Sequence, residues 1–397
     1  MRISIPIDIW DPARGGTERY LDRLLGDLAR RGHEATVLCL AARGPLVGDS
    51  PQRKIETVRV PRFPRWLREL AFAREAVLAH RRSGRDVLFA VRHALEADLY
   101  QPHGGSFLKA REAALRARPR LERGFRRLAE GLRPALRVLL WLDREVFRRS
   151  PHAITVSVSR KVEEDFAAAY PRTVFRFERL HNAVDLERFH GDDRTAAAAL
   201  LRSRHGIPPA SRVALLLAHN PRLKGLEHAI AAVSRAAGWS LVVAGRRALA
   251  PFEKVAVRFG VRERVHFAGL VDDARPLLAG ADALLLPTHY DPCSLATLEA
   301  VACGTPVVTT RQNGASEIVE PGGAGIVVES PEDEAGLSGA LDAVAGAWGS
   351  FHEAALRLRP AIDWDRHVDR MEGLLERAAH AAADRSSSGA PPGAAVQ

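Results

Sequence analysis

Twice along its 397 residues the chain alternates short apolar strands with amphipathic helices, and this alternation constrains the fold more than any other feature. In the first half, strands are expected at 3–9, 35–40, 56–60, 86–90 and 153–158, with a helix over 17–31 that stops at Gly32. In the second, strands at 213–218, 241–244, 265–268, 283–286, 306–309 and 325–328 alternate with helical stretches at 225–237, 251–259, 272–279, 295–303 and 332–345. Strands that alternate with helices argue for parallel pairing, in a sheet covered on both faces. The class is α/β, with two doubly wound domains. Open parallel sheets bind ligands beyond the C-terminal ends of their strands, so a ligand is expected in the cleft that the two domains would face.

The expected division is residues 1–190, residues 191–360, a closing helix at 361–383 packed back toward the N-terminal domain, and a disordered tail at 384–397. The segment His181-Asn-Ala-Val-Asp-Leu-Glu-Arg-Phe189 reads as the linker. An apolar content of 46% is enough for two cores. The first residues read as a strand rather than a secretory signal, and no apolar run reaches the ~18 residues of a membrane span. Cys39, Cys293 and Cys303 are too scattered for a disulfide framework or metal cluster, so the expected home is the reducing cytoplasm.

The net charge of +10 has a location. Residues 109–149 hold thirteen Lys/Arg against five Asp/Glu, an excess of +8. A second stretch interleaves Arg62, Arg65 and Arg68 with Phe63, Trp66 and Leu67. Such surfaces suit phosphate-rich partners, an anionic membrane or nucleic acid; a solvated helical face is the plainer reading. No recognised nucleic-acid module is present, which makes the membrane the expected partner.

Four stretches carry candidate chemistry. After the strand at 283–286 comes Thr288-His-Tyr-Asp-Pro-Cys-Ser-Leu-Ala-Thr-Leu-Glu299, with a helix starting near Ser294. The free amides of a helix N-terminus, around Cys293, Ser294 and Leu295, suit a phosphate, and a carboxylate such as Glu299 can take two adjacent ribose hydroxyls. A cap plus a surface acid would give the same pair Asp291 and Glu299. Next, His219-Asn-Pro-Arg-Leu-Lys-Gly225 sets Arg222 and Lys224 between a strand and a helix, where two cations can neutralise a diphosphate. Lys224 is one of only five lysines. In Arg14-Gly15-Gly16-Thr17-Glu18 paired glycines let backbone approach a ligand. In Tyr100-Gln-Pro-His-Gly-Gly-Ser106, His103 offers a hydrogen-bonding group, or a structural one. There is no G-x-x-x-x-G-K-[ST] loop and no well-placed G-x-G-x-x-G fingerprint. Asp363-Trp-Asp365 mimics a metal-binding acid pair, but its place at the start of a helix makes it a cap.

Taken in order, these motifs resemble glycosyltransferase family 4, the large retaining GT-B family, over about residues 1–380. The acid-x7-acid string Asp291 to Glu299, followed by Ala300-Val-Ala-Cys-Gly-Thr-Pro-Val-Val, carries the resemblance, and the Asn313-Gly-Ala-Ser-Glu317 run fits as well. The Gly-Gly-Thr-Glu-Arg start and the basic helical region look most like the lipopolysaccharide-core glucosyltransferase branch. Two positions depart from the family: its first motif acid is usually Glu where this chain has Asp291, and a glycine commonly stands where this chain has Ser294.

The resemblance implies two Rossmann-like domains facing a cleft, a nucleotide-sugar donor, a glycan or lipid-linked acceptor, no cofactor and no catalytic metal. It implies that Glu299 holds the ribose. Arg222 and Lys224 bind the diphosphate with help from Gly15, Gly16 and the amides near Cys293, Ser294 and Leu295. Asp291 touches the donor sugar, and His103 lies near the reacting centre on the acceptor side. A sugar-nucleotide epimerase of the same fold and a basic nucleic-acid-binding protein are the rival readings.

Overall fold

The computed structural model describes residues 1–12, 15–46, 50–61, 64–131, 133–191, 193–245 and 249–387, apart from the side chains of Arg65, Arg120, Leu121 and Leu128. Arg14, Arg62, Phe63 and the tail from 388 on, all part of sequence expectations above, lie outside the described residues. The chain divides into two compact units, one of Met1–Arg111, Arg120–Leu180 and Arg366 onward, the other of Glu112–Pro119 and His181–Asp365.

The strands in chain order are β1 (Arg2–Pro6), β2 (Ile9–Trp10), β3 (Glu34–Cys39), β4 (Ala41–Ala42), β5 (Arg53–Thr57), β6 (Val87–Ala90), β7 (Leu99–Tyr100), β8 (Ile154–Ser157), β9 (Phe177–Arg179), β10 (Arg212–Leu217), β11 (Trp239–Ala244), β12 (Val265–Gly269), β13 (Ala283–Leu286), β14 (Val307–Thr310) and β15 (Gly325–Val328). Among the described residues the first unit holds a sheet in the order β5-β3-β1-β6-β7-β8-β9, and the second a sheet in the order β12-β11-β10-β13-β14-β15. Every pairing in both is parallel.

Parallel strands lose water on both faces, so they read as continuous apolar runs. Leu215, Leu216, Val242, Val243, Leu284, Leu285, Val307 and Val308 are accordingly all fully buried. Each such side chain contributes roughly 1.5–3 kcal/mol against remaining exposed. In the second sheet the strand order reverses direction at β10 and β13, which lie side by side although 65 residues of chain separate Leu217 from Ala283. The crevice at such a switch point is where an open sheet can take a ligand.

Several expectations need correction. The strand expected at 3–9 breaks into two: backbone bonds to the β3 segment run on through Ile7, whose N–H donates to the Leu38 carbonyl at 2.9 Å, and β2 then pairs with β4 instead. The strand expected at 56–60 begins earlier, at Arg53, whose buried guanidinium reaches Asp22 at 2.5 Å; its polar residues hide it from an apolar count. The supposed linker is not a loose connection. Asn182, Ala183 and Val184 are buried in the second unit, and Val184 exchanges backbone hydrogen bonds with Ile362 and Trp364. The closing helix, Trp364–Ser387, runs past the expected tail boundary at 384. Its start is fixed by Asp363, whose Oδ1 accepts from the Asp365 N–H at 2.8 Å, the capping geometry expected there.

Candidate functional site

At the C-terminal edge of the second sheet, two neighbouring strands deliver the chain into two loops. From β10 the chain enters the turn 218–225 and then the helix Leu226–Arg235. Gly225 sits at φ +74°, and a Cβ there would stand 1.9 Å from the Pro287 carbonyl oxygen. Only glycine lets the turn lie this close to the end of β13. Two more bonds tie the loops together: the Leu223 carbonyl accepts from the His289 N–H at 2.8 Å and from the Thr288 hydroxyl at 3.0 Å. Arg222 and Lys224, both half-buried, project from this turn. The Lys224 ammonium forms an ion pair with the Asp291 carboxylate, and the Arg222 guanidinium lies 5.9 Å from the Phe252 ring centroid.

The second loop, from β13 to the helix Leu295–Ala302, is fixed by two asparagines. Asn313 is fully buried. Its Oδ1 accepts from the Ser294 N–H at 3.3 Å and the Ala315 N–H at 3.1 Å, while its Nδ2 donates to Thr297 Oγ1 at 2.9 Å and Thr309 Oγ1 at 3.1 Å. All of its hydrogen-bonding capacity is thereby spent on holding the helix start. From the other side, Asn182 Nδ2 donates to the Cys293 carbonyl at 2.7 Å. Ser294 caps the helix, its hydroxyl accepting from the Thr297 N–H. Since the Ser294 amide is turned onto Asn313, the amides left for an anion begin at Leu295. Backbone bonds through Gln312 and Gly314 hold Asp291, which is buried. Glu299 is the fifth residue of the helix and half-buried.

Arg222, Lys224, Asp291, Cys293, Ser294, Leu295 and Glu299 are thus brought to one edge of one sheet. Burial pushes the Cys293 thiol up strongly and the Cys303 thiol up to about 12, so both stay protonated and act as apolar packing. Sequence reasoning missed Asn182, hidden in the supposed linker, and gave Asn313 no role beyond its run; an Asn-Gly pair three residues past the end of β14 was the available signal.

In the first unit, Gly15 precedes the helix Gly16–Arg30 and Gly16 opens it. Glu18 is buried against Arg92, 2.8 Å away. His103 is also buried; its Nδ1 lies 3.2 Å from Thr17 Oγ1 and its ring 4.7 Å from that of Tyr20. The Tyr20 hydroxyl in turn lies 2.8 Å from His367 Nε2, and burial raises its pKa so that the phenol stays neutral. His103 and the Gly15-Gly16 helix start are therefore neighbours through Thr17.

Comparison with known proteins bears on what these edges do. The family model "Glycosyltransferase Family 4" matches residues 14–188, and "Glycosyl transferases group 1" matches residues 211–345. Both halves of the chain thus match glycosyltransferase models. Lipopolysaccharide glucosyltransferase WaaG of Escherichia coli K12 is 26% identical over 204 residues, 50% of this chain and 54% of that protein. A crystal structure of WaaG, described as a glycosyltransferase involved in lipopolysaccharide biosynthesis, aligns with a TM-score of 0.76 at 20% identity, over 94% of this chain and 99% of that one. The Anabaena protein HepE in complex with UDP-glucose aligns with a TM-score of 0.69 at 17% identity, over 95% and 100%. These likenesses establish the GT-B fold. Its matched segments span about half to three fifths of the curated relatives they resemble.

Proposed function

We propose that the protein is a retaining, metal-independent glycosyltransferase that moves a hexose from a nucleoside-diphosphate sugar to a glycan or lipid-linked acceptor in cell-surface polysaccharide or lipopolysaccharide synthesis. The observation that carries this reading is the meeting of the Arg222–Lys224 turn, Asp291 and an asparagine-braced helix N-terminus at the edge of β10 and β13. Two cations and outward-facing amides suit a diphosphate. Glu299 takes the ribose and Asp291 the sugar hydroxyls. In the first unit, His103 is assigned to the acceptor, and Gly15 and Gly16 to the donor phosphate.

The chemistry follows from where charge develops. As the glycosidic bond lengthens, the sugar becomes oxocarbenium-like and the leaving diphosphate gains negative charge. Arg222, Lys224 and the amides from Leu295 on stabilise that charge more than the ground state, which is the condition for catalysis. The acceptor hydroxyl attacks on the face the diphosphate leaves, and a donor phosphate oxygen takes its proton. No cofactor takes part.

The same proposal puts the protein at the cytoplasmic face of an anionic membrane. Among the described residues no helix is long and apolar enough to cross one. Arg133, Arg137, Trp141, Arg144 and Arg148, spaced by four, four, three and four along the helix Pro134–Arg149 and the residue before it, are all exposed, and Phe125 on the preceding helix is 77% exposed. That spacing makes one face of a helix. Cations with interleaved aromatics suit anionic headgroups.

The test is a donor screen. The purified protein is incubated with UDP-, GDP- and ADP-sugars, with and without chelator, and released nucleoside diphosphate and the anomeric configuration of the product are read out. Chelator-resistant release with retained configuration is expected. Epimerised donor with no transfer would replace this reading by the epimerase, and no turnover of any donor would remove it.

A further inference from the structure

We propose that the second unit carries a transition-metal site, of the kind that takes Zn²⁺, built from His228, His289 and Glu332. The three residues come from separate elements: His228 from the first turn of the helix Leu226–Arg235, His289 from the loop after β13, and Glu332 from the turn before the helix Glu334–Gly346. Their ligating atoms all lie within 4.8 Å of one another. His289 Nδ1 stands 3.6 Å from Glu332 Oε1, and the two imidazole rings are 5.2 Å apart, inclined at 62°. The rings meet edge-on and do not stack.

The ligand chemistry selects the ion. Two imidazoles and one carboxylate are a borderline set that suits Zn²⁺ and its neighbours, whereas Mg²⁺ and Ca²⁺ take oxygens. Bonds of about 2.0–2.2 Å require the donor atoms to draw in by about an ångström. Glu332, whose side chain is 53% exposed, is the arm able to move, while the buried His289 is fixed by its loop. Glu334 adds the usual outer partner: its Oε1 lies 3.2 Å from His228 Nδ1, a carboxylate–imidazole contact that sets the ring's tautomer. Water completes the coordination.

An ion here would clasp the start of the helix that follows the Arg222–Lys224 turn to a loop position two residues before Asp291. It holds loops and takes no part in bond making, so it is separate from the metal-free transfer proposed above, and its test does not depend on turnover. The metal-stripped full chain is titrated with Co²⁺, followed by visible absorption, and with Zn²⁺, followed by calorimetry, at about pH 7.5 where imidazole is neutral. One ion per chain and a four-coordinate Co²⁺ spectrum are expected. H228A and E332Q should each weaken binding at least about tenfold; circular dichroism checks their folds, and E332Q alters only a half-exposed side chain. A variant of the other His/Glu cluster, H33A at His33–Glu372–Glu376, should leave the affinity unchanged. No stoichiometric uptake by the wild type, equal affinity in wild type, H228A and E332Q, or loss of binding in H33A alone would each overturn the proposal.

Discussion

Lys224 and Asp291, 67 residues apart in sequence, form an ion pair across the loops that leave the adjacent strands β10 and β13. The cation assigned to the diphosphate is thus already held by the acid assigned to the sugar. An arriving donor would exchange one anionic partner of Lys224 for another, which limits the cost of desolvating the ammonium.

Replacing Arg222 or Lys224 by Ala should lower turnover by roughly 30- to 1,000-fold, as losing one charge-assisted contact to a developing anion costs on the order of 2–4 kcal/mol. The fold should persist, because both side chains are only half-buried. Steady-state rates with the best donor check this, and near-wild-type rates in both variants would remove the diphosphate assignment.

Glu299→Ala and Asp291→Ala should separate. A ribose contact exists in ground and transition states alike, so E299A should raise KM more than it lowers kcat. D291A removes the carboxylate that shares Lys224, so affinity for free nucleoside diphosphate should hold or rise while sugar transfer falls. Calorimetry with the free diphosphate distinguishes the two; equal losses of affinity would contradict the division of roles.

Asp143 gives a pH signature. It is buried, and accepts from the Tyr170 hydroxyl at 2.8 Å and the Phe107 N–H at 3.1 Å, yet burial outweighs these bonds and raises its pKa from 3.8 to about 6. A raised pKa means that the fold favours the protonated form. Its stabilisation is complete below about pH 3.8 and is lost as pH rises through about 6. The difference corresponds to about 3 kcal/mol. Asp143→Asn, which keeps an acceptor oxygen, should therefore be more stable than wild type at pH 8, with the gap closing toward pH 4. Urea unfolding at both pH values measures it; a gap independent of pH would show that ionisation is not the cause.

The arginine-and-aromatic face should bind membranes. Each cation near an anionic bilayer contributes about 1 kcal/mol, and the aromatics add shallow insertion. Co-sedimentation should show binding to anionic vesicles and not to neutral ones, weakened by salt and by a Phe125→Ala/Trp141→Ala double variant. DNA added as competitor tests the nucleic-acid alternative. Absence of vesicle binding at low salt would eliminate the membrane face.

What the sequence determined by itself was whatever local periodicity carries. The strand Ala283–Leu286 and the strand Gly325–Val328 fall where the apolar runs end, and the helix carrying Glu299 starts at the residue after its Ser294 cap. The two-sheet architecture followed from alternation, since strands separated by helices favour parallel pairing with both faces covered. Two-residue β7 and three-residue β9 escaped because so short a segment has no period, and the start of β5 was placed three residues late because its polar residues break the apolar run. The tertiary structure alone decided which loops meet. Placing β10 beside β13 sets Lys224 on Asp291 and lets Gly225 approach Pro287, and folding the segment from His181 against the second unit brings Asn182 to Cys293. Those contacts depend on the order of strands in the sheet, which is fixed by the summed burial of all the strands and helices and is written in no single stretch of chain.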